Sequence, residues 1–209
     1  MTSIKLTSLK LLGSALAALS LSACVSFLPD PAPADVVYRL SPSAAGVMQS
    51  PTAKVVRIDR PAVSLILETR AIMVSPDGRR LLAAEGAKWS ELIPVMVQES
   101  FIDVMGQRAN LVGVIPSSGA RTDTRVHITI KRFEAEFDQG EERAPLATVH
   151  YAMTLSDASN RNLIDSYDVY KTVRANEVRV SSIVEAMDAA NKGALNELAD
   201  WLESSPIQG

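Results

Sequence analysis

The second half of the chain alternates apolar and polar residues over three long stretches. This pattern covers residues 124–137, 147–156 and 162–173, and a polar turn at residues 157–160 separates the last two. A period of two places successive side chains on opposite faces of a β-strand. The pattern predicts three consecutive antiparallel strands, a meander, with one face covered.

The first of these stretches changes phase in its middle. Apolar residues stand at even positions from Val126 to Ile130 but at odd positions from Phe133 to Phe137. A slip of one residue moves every later side chain to the other face of a sheet, unless an extra residue absorbs it. We therefore predict a β-bulge or bend near residues 131–132.

The first half of the chain predicts shorter strands. β-Branched residues bounded by turn residues mark strands at 36–40, 54–59 and 110–115. Residues 70–75 and 79–84 flank Ser75-Pro76-Asp77-Gly78, where Pro and Gly favour a tight turn. These two segments predict a hairpin.

Two stretches have the period of an amphipathic helix. The first covers residues 90–108, with Ser90 as the predicted N-cap and Pro94 near its first turn. The second extends to Leu202 and begins near a predicted capping box, Ser182 with Glu185. Strands with helices confined to one face predict an α+β fold, in which two main helices pack on one face of an antiparallel or mixed sheet.

The first 23 residues have the layout of a secretory signal. Residues 1–10 carry Lys5 and Lys10 and no acid, and the 13 residues from Leu11 to Ala23 are uncharged. The apolar run is shorter than the roughly 20 residues that span a bilayer, and Pro29 soon follows it. We predict a cleaved signal peptide at residues 1–23; an uncleaved inner-membrane anchor is the alternative.

Leu21-Ser22-Ala23-Cys24 resembles the lipobox of bacterial lipoproteins. The resemblance implies that Cys24 is the lipid-attachment site, that it receives a diacylglyceryl group, and that the new amino terminus is acylated, as with palmitate. A thiolate has the nucleophilicity that this reaction needs. Residues 24–35 then form a lipidated, proline-rich tether, and residues 36–205 form one domain. Val25, rather than Asp, follows the cysteine, which by the same resemblance implies the periplasmic face of the outer membrane.

Composition and net charge limit the kinds of molecule that the protein can bind. Apolar residues make up 47% of the chain and charged residues 22%, as expected for an ordinary globular domain. Removal of Lys5 and Lys10 leaves 19 of the 21 basic residues against 24 acidic ones, so the formal net charge changes from −3 to −5. This charge makes nucleic acid an unlikely partner, and it repels anionic headgroups, so that several acyl chains rather than a basic patch would anchor the protein.

The sequence contains neither a phosphate-binding Gly-x-x-x-x-Gly-Lys-Ser/Thr nor a Gly-x-Ser-x-Gly motif. His127 and His150 lie on predicted neighbouring strands and would be close if those strands pair. Without further ligand spacing, solvated histidines are the favoured interpretation. Four carboxylates that lie near one another in pairs are interpreted as surface charge; they are Glu134, Glu136, Asp165 and Asp168. Trp89 and Trp201 are interpreted as packing residues. We expect no catalytic residue, no cofactor and no metal site.

Sparse motifs in a fixed order then resemble the ABC-type transport auxiliary lipoprotein family, which includes PqiC-like lipoproteins. They are Tyr38-Arg39-Leu40, Val56-Arg57-Ile58 with Pro61, Leu67-Glu68-Thr69-Arg70, Ala87-Lys88-Trp89-Ser90-Glu91, Arg132-Phe133-Glu134, and the helix ending Glu197-Leu198-Ala199-Asp200-Trp201-Leu202. Where the family often has a pair of tyrosines, this chain has Val37-Tyr38. The resemblance covers residues 24–202.

The resemblance implies an accessory, non-catalytic role in an MCE-type (Mla- or Pqi-like) ABC system. In such systems a permease, an ATPase and a periplasmic MCE-domain protein move phospholipid or other hydrophobic molecules between membranes. The lipoprotein would dock the far end of this conduit at the outer membrane, and a homo-oligomeric ring is also implied. Two alternatives stay open: a stand-alone envelope lipoprotein that binds a hydrophobic ligand or assists outer-membrane assembly, and a periplasmic enzyme that uses the two histidines.

Overall fold

A nine-stranded mixed sheet forms the framework of the described part of the chain, residues 34–42 and 44–206, in this computed structural model. The strands are β1 (Val36–Tyr38), β2 (Lys54–Ile58), β3 (Ala62–Val63), β4 (Ala71–Ser75), β5 (Leu82–Trp89), β6 (Leu111–Val114), β7 (Thr124–Glu136), β8 (Leu146–Asp157) and β9 (Leu163–Arg174). The helices are α1 (Ile93–Gly106) and α2 (Val180–Ser204). Short 3-10 turns lie at Leu65–Leu67 and Pro116–Ser118.

The predicted meander is confirmed. β8 pairs antiparallel with β7 along one edge and with β9 along the other. Tyr151 of β8 lies opposite Ile130 of β7 and Val169 of β9, and all three side chains are buried on the face toward α2. The alternation in the sequence therefore sorts each strand into one helix-covered face and one polar face.

The predicted bulge is also confirmed. The pairing of β7 with β8 passes from Ile130–Tyr151 directly to Arg132–His150, so Lys131 has no opposite residue. The extra residue restores the phase, because both Ile130 before it and Phe133 after it are buried.

The second edge of β7 is shared by three parallel strands. β2, β3 and β4 pair in turn with its beginning, middle and end. β2 continues to β6, while β4 continues to β5 and then to β1. β6 also packs close to α1: a Cβ added at Gly113 would lie 3.0 Å from the Sδ atom of Met105, so a larger residue would push this contact apart.

The predicted hairpin is formed by β4 and β5, with Gly78 at a φ of 72° in its turn. β5 begins at Leu82 rather than at the predicted residue 79. The reason is local, since the carboxylate of Asp77 accepts hydrogen bonds from the backbone N–H groups of Arg79 and Arg80. These bonds hold both residues in the turn.

The start of α1 differs from the prediction. The helix begins at Ile93 after Leu92, and Ser90 does not cap it. The N–H of Ser90 instead donates to the carbonyl of Tyr38 at 2.6 Å, which holds Ser90 in line with β1. Pro94 lies in the first turn of the helix, as predicted.

The predicted capping box of α2 is wrong. α2 begins at Val180, so Ser182 lies within its first turn. The hydroxyl oxygen of Ser182 accepts N–H groups of Asn176 and Glu177, at 2.9 and 3.0 Å. Ser182 therefore stabilises the turn that precedes the helix and does not cap the N-terminal end of the helix.

Both helices pack on one side of the sheet and form a single core with it. α2 crosses β8 and β9, and α1 packs against β6 and α2. Side chains that are fully buried fill the space between helices and sheet; they include Phe101, Met105, Phe133, Tyr151, Met153 and Met187. The α+β fold with a mixed sheet is thus confirmed.

Candidate functional site

The lipid-attachment residue predicted by the sequence, Cys24, lies outside the described residues, as do the signal peptide at 1–23 and most of the tether at 24–35. A functional surface can therefore be described only within residues 34–42 and 44–206. Two surfaces stand out: the polar face of the meander, and a cleft between two hairpins.

The polar face is the side of the meander that points away from the helices. The strand register determines which residues belong to this face, because residues paired across antiparallel strands point to the same side. It consists of His127, Thr129, Arg132, Glu134 and Glu136 on β7, Thr148, His150, Ala152 and Thr154 on β8, and Ser166, Asp168, Tyr170 and Thr172 on β9.

Arg132 is the centre of this face. Its guanidinium binds the carboxylates of Glu134 and Glu136, and donates to the hydroxyl of Tyr170 at 3.3 Å. Partial burial on its own would lower the pKa of Arg132, but the hydrogen bonds to Glu136 and Glu134 outweigh this effect and raise it. The second oxygen of Glu134 accepts the backbone N–H of Phe133 at 2.8 Å, next to the bulge. The Arg132 cluster therefore stabilises the bulge and neutralises both carboxylates.

The two histidines share the polar face but are not neighbours. His127 lies opposite Thr154, whereas His150 lies opposite Arg132, four residues away along β8. At about 3.4 Å per residue, this offset separates them by roughly 14 Å along the strand. His150 instead contacts Asp168 through its Nε2 atom and packs edge-on against Tyr170. The condition for a two-histidine site is thus not met.

The remaining sequence candidates have structural roles. Trp89 is fully buried and packs edge-on against Phe133, with ring centroids 6.0 Å apart. Trp201 stacks on Tyr167 at 5.6 Å. Asp165 accepts the backbone N–H of Ser166. Within the described ranges, no group of three or more His, Cys, Asp or Glu residues is arranged to hold a metal ion.

The second surface, which the sequence did not indicate, is the hairpin cleft. It is an open depression of about 320 Å³, lined by Val74, Pro76, Leu82, Phe137 and Glu141. Four of these five residues are apolar, and Leu82 is 51% exposed. The available signal in the sequence was an apolar residue beside each of two glycine-containing turns, but only the pairing of β4 with β7 brings the turns together.

A further cleft of about 200 Å³ separates α1 from the segment after β1, and its lining includes Arg39, Glu99 and Asp103. It is smaller and more polar than the hairpin cleft. In the part of the chain that the structure covers, neither helix has the combination of length and hydropathy needed to cross a membrane.

The comparisons with known proteins agree with this architecture. The model of the family described as "ABC-type transport auxiliary lipoprotein component" matches residues 38–199. A crystal structure of a Xanthomonas campestris protein superposes with a TM-score of 0.68 at 17% identity, covering 80% of this chain and 94% of that one. An uncharacterized protein superposes with a TM-score of 0.64 at 10% identity, covering 81% and 99%.

At these identities the two structures establish a shared fold only. No curated protein matches the sequence. The family match covers well over half of the chain and extends from the end of β1 into α2. The chain therefore belongs to the family of ABC-type transport auxiliary lipoprotein components.

Proposed function

We propose that this protein is a non-catalytic outer-membrane lipoprotein that serves as an accessory docking subunit of an MCE-type ABC system. Acylated Cys24 would anchor it at the periplasmic face of the outer membrane. The system would move phospholipid or other hydrophobic molecules across the periplasm. The observation that carries the proposal is the family match over residues 38–199, together with the lipobox-like Leu21-Ser22-Ala23-Cys24.

The geometry of the described residues supports docking rather than chemistry. Arg132 neutralises Glu134 and Glu136 on the polar face, and the two histidines are separated along the sheet. The space between helices and sheet is filled by Phe101, Met153 and other buried side chains, which favours a docking protein over a lipid carrier. The sequence has no phosphate-binding loop, so ATP hydrolysis would belong to a partner protein.

The test of the anchor is Cys24→Ala in the full-length protein. A thioether-linked lipid holds the wild type in the membrane fraction, so we expect the variant to fold but to leave the outer membrane on fractionation. Cys24→Ser is the matched control, since a hydroxyl does not replace the thiolate in lipidation. Retention of both variants in the outer membrane would contradict the proposal.

The test of the partner is co-purification from detergent extracts with an MCE-domain protein of the same organism. We expect the wild type to retain it together with the permease and ATPase. Failure to retain any MCE-domain protein would refute the docking role. If the protein purifies without an MCE-domain protein but with bound phospholipid, the result would instead support a stand-alone lipoprotein that binds a hydrophobic ligand.

A further inference from the structure

The hairpin cleft lies where two turns are locked together. The N–H of Phe137 donates to the carbonyl of Ser75 at 2.8 Å, which joins the end of β7 to the end of β4. A Cβ added at Gly78 would approach the carboxylate of Glu136 to 2.7 Å, so the turn between β4 and β5 packs directly against the end of β7. The position of the two turns relative to each other is therefore fixed.

Each turn is also held internally. The backbone N–H groups of Arg80 and Arg79 lower the pKa of Asp77, whose second carboxylate oxygen binds the Arg80 side chain at 2.8 Å. In the second turn, the N–H of Gly140 donates to the carbonyl of Phe137 at 3.0 Å, and Asp138 is bound by Arg174. A cleft built on two rigid turns loses little conformational entropy when a partner binds.

The lining specifies the kind of partner. Exposed Leu82 and partly buried Phe137 and Val74 form an apolar surface, and exposed Glu141 is the one charged residue of the lining. Sites that enclose a small ligand hold about 300–1,000 Å³ and surround most of its surface. This open cleft of about 320 Å³ is at the low end of that range, too small and too open to enclose a two-chain lipid. Its size suits a bulky apolar side chain of a protein, and Glu141 complements a neighbouring Lys or Arg.

We infer that the hairpin cleft is the surface that binds the periplasmic MCE-domain protein, through an apolar side chain next to a basic residue. This inference rests on the proposed function and adds the location and the chemistry of the contact. The bound side chain would bury the exposed part of Leu82, while Glu141 pairs with the adjacent cation. The polar face is not required for this contact.

The experiment compares matched variants of the full-length protein, co-expressed with the MCE-domain protein and purified in detergent. Leu82→Asp places a charge in the cleft, and we expect at least about a tenfold loss of retained partner, as for an interface hot spot. Leu163→Asp is the control, because Leu163 is even more exposed, at 64% against 51%, but lies at the start of β9. Its retention should stay within about twofold of the wild type.

A charge variant provides a second test that does not change the apolar lining. Glu141→Lys should weaken retention about three- to tenfold, and more at low salt, whereas Glu185→Lys on the exposed side of α2 should not. Thermal unfolding of all four variants establishes that each is folded. Equal retention by both members of each pair would overturn the cleft as the contact, even if the wild type binds the MCE-domain protein.

A photocrosslinking residue at position 82 identifies the occupant directly. We expect a covalent product with the MCE-domain protein at position 82 but not at position 163. A product with phospholipid alone at position 82 would overturn the inference and leave the docking role intact. Absence of the MCE-domain protein from every wild-type sample would refute the proposed function and this inference together.

Discussion

The two faces of the meander come from the same strands, yet they differ in what satisfies their polar groups. On the helix-covered face, the hydroxyl of Tyr151 donates to the side-chain oxygen of Asn191 on α2 at 2.7 Å. On the polar face one residue away, His150 contacts Asp168 within the sheet itself. Alternation therefore decides whether a side chain is bound to a second layer or only to its neighbours in the sheet.

β9 shows the same contrast at its edge position. Tyr167 and Lys171 point to the helix side, where both bind the carboxylate of Glu197 on α2. Tyr170 points to the other side and is 52% exposed. Contacts that cross between layers depend on the packing of α2, while contacts on the polar face do not. Mutations on the two faces should therefore have very different costs.

The largest effect is expected from truncation in the core. Phe133 is fully buried against Trp89, so Phe133→Ala should lower the free energy of unfolding by about 3–5 kcal/mol. Thr129→Ala on the polar face of the same strand should change it by no more than about 0.5 kcal/mol. Urea denaturation of the domain measures both. Similar losses at the two positions would remove the distinction between the faces.

The sequence predicted this distinction because it is a local property. The alternation of Val126, Ile128 and Ile130, and the shift to Phe133, depend only on neighbours in the chain. The parallel pairing of β2, β3 and β4 with β7 joins residues far apart in sequence, such as Val56 and Thr124, and no periodicity encodes it. The hairpin cleft was missed for this reason.

Helix starts were missed for a related reason. Ser90 and Ser182 are good capping residues in isolation, but the backbone N–H of Ser90 is bound to Tyr38 at the end of β1, and the hydroxyl of Ser182 is bound within the turn before α2. His127 and His150 do not meet, because register, not strand identity, sets which side chains are opposite, and the bulge at residue 131 contributes to that register. Cys24, by contrast, is predicted entirely from its neighbours and stays a prediction.

The next largest effect should come from the buried polar pair between the layers. Tyr151→Phe leaves the Asn191 amide without its hydroxyl partner in the core, at a cost of about 1–3 kcal/mol. Replacing both residues, as in Tyr151→Phe with Asn191→Leu, should recover part of this loss because no unpaired polar group stays buried. Chemical denaturation of Tyr151→Phe, Asn191→Leu and the double variant tests this. A double variant as unstable as the sum of the single ones would contradict it.

The contact between α2 and β9 should give a smaller, pH-dependent effect. Hydrogen bonds from Lys171 and Tyr167 lower the pKa of Glu197. A carboxylate with a lowered pKa stabilises the fold above its unfolded pKa of about 4.3, and this stabilisation is lost as the pH falls through the folded value. Glu197→Gln should therefore be less stable than the wild type at neutral pH and approach it in acid. A stability difference that is constant from pH 7 to pH 3 would show that the charge of Glu197 is not involved.

The smallest effect is expected where the polar face satisfies itself. His150 and Asp168 form a partly exposed pair on neighbouring strands, and such pairs contribute only about 0.2–1 kcal/mol. A double-mutant cycle with His150→Ala and Asp168→Ala measures their coupling without the cost of each truncation. A coupling of 2 kcal/mol or more, well above the usual range of about 0.2–1 kcal/mol, would mean that the polar face is organised as tightly as the covered one. A coupling within that range would mean that the polar face tolerates substitution where the covered face does not.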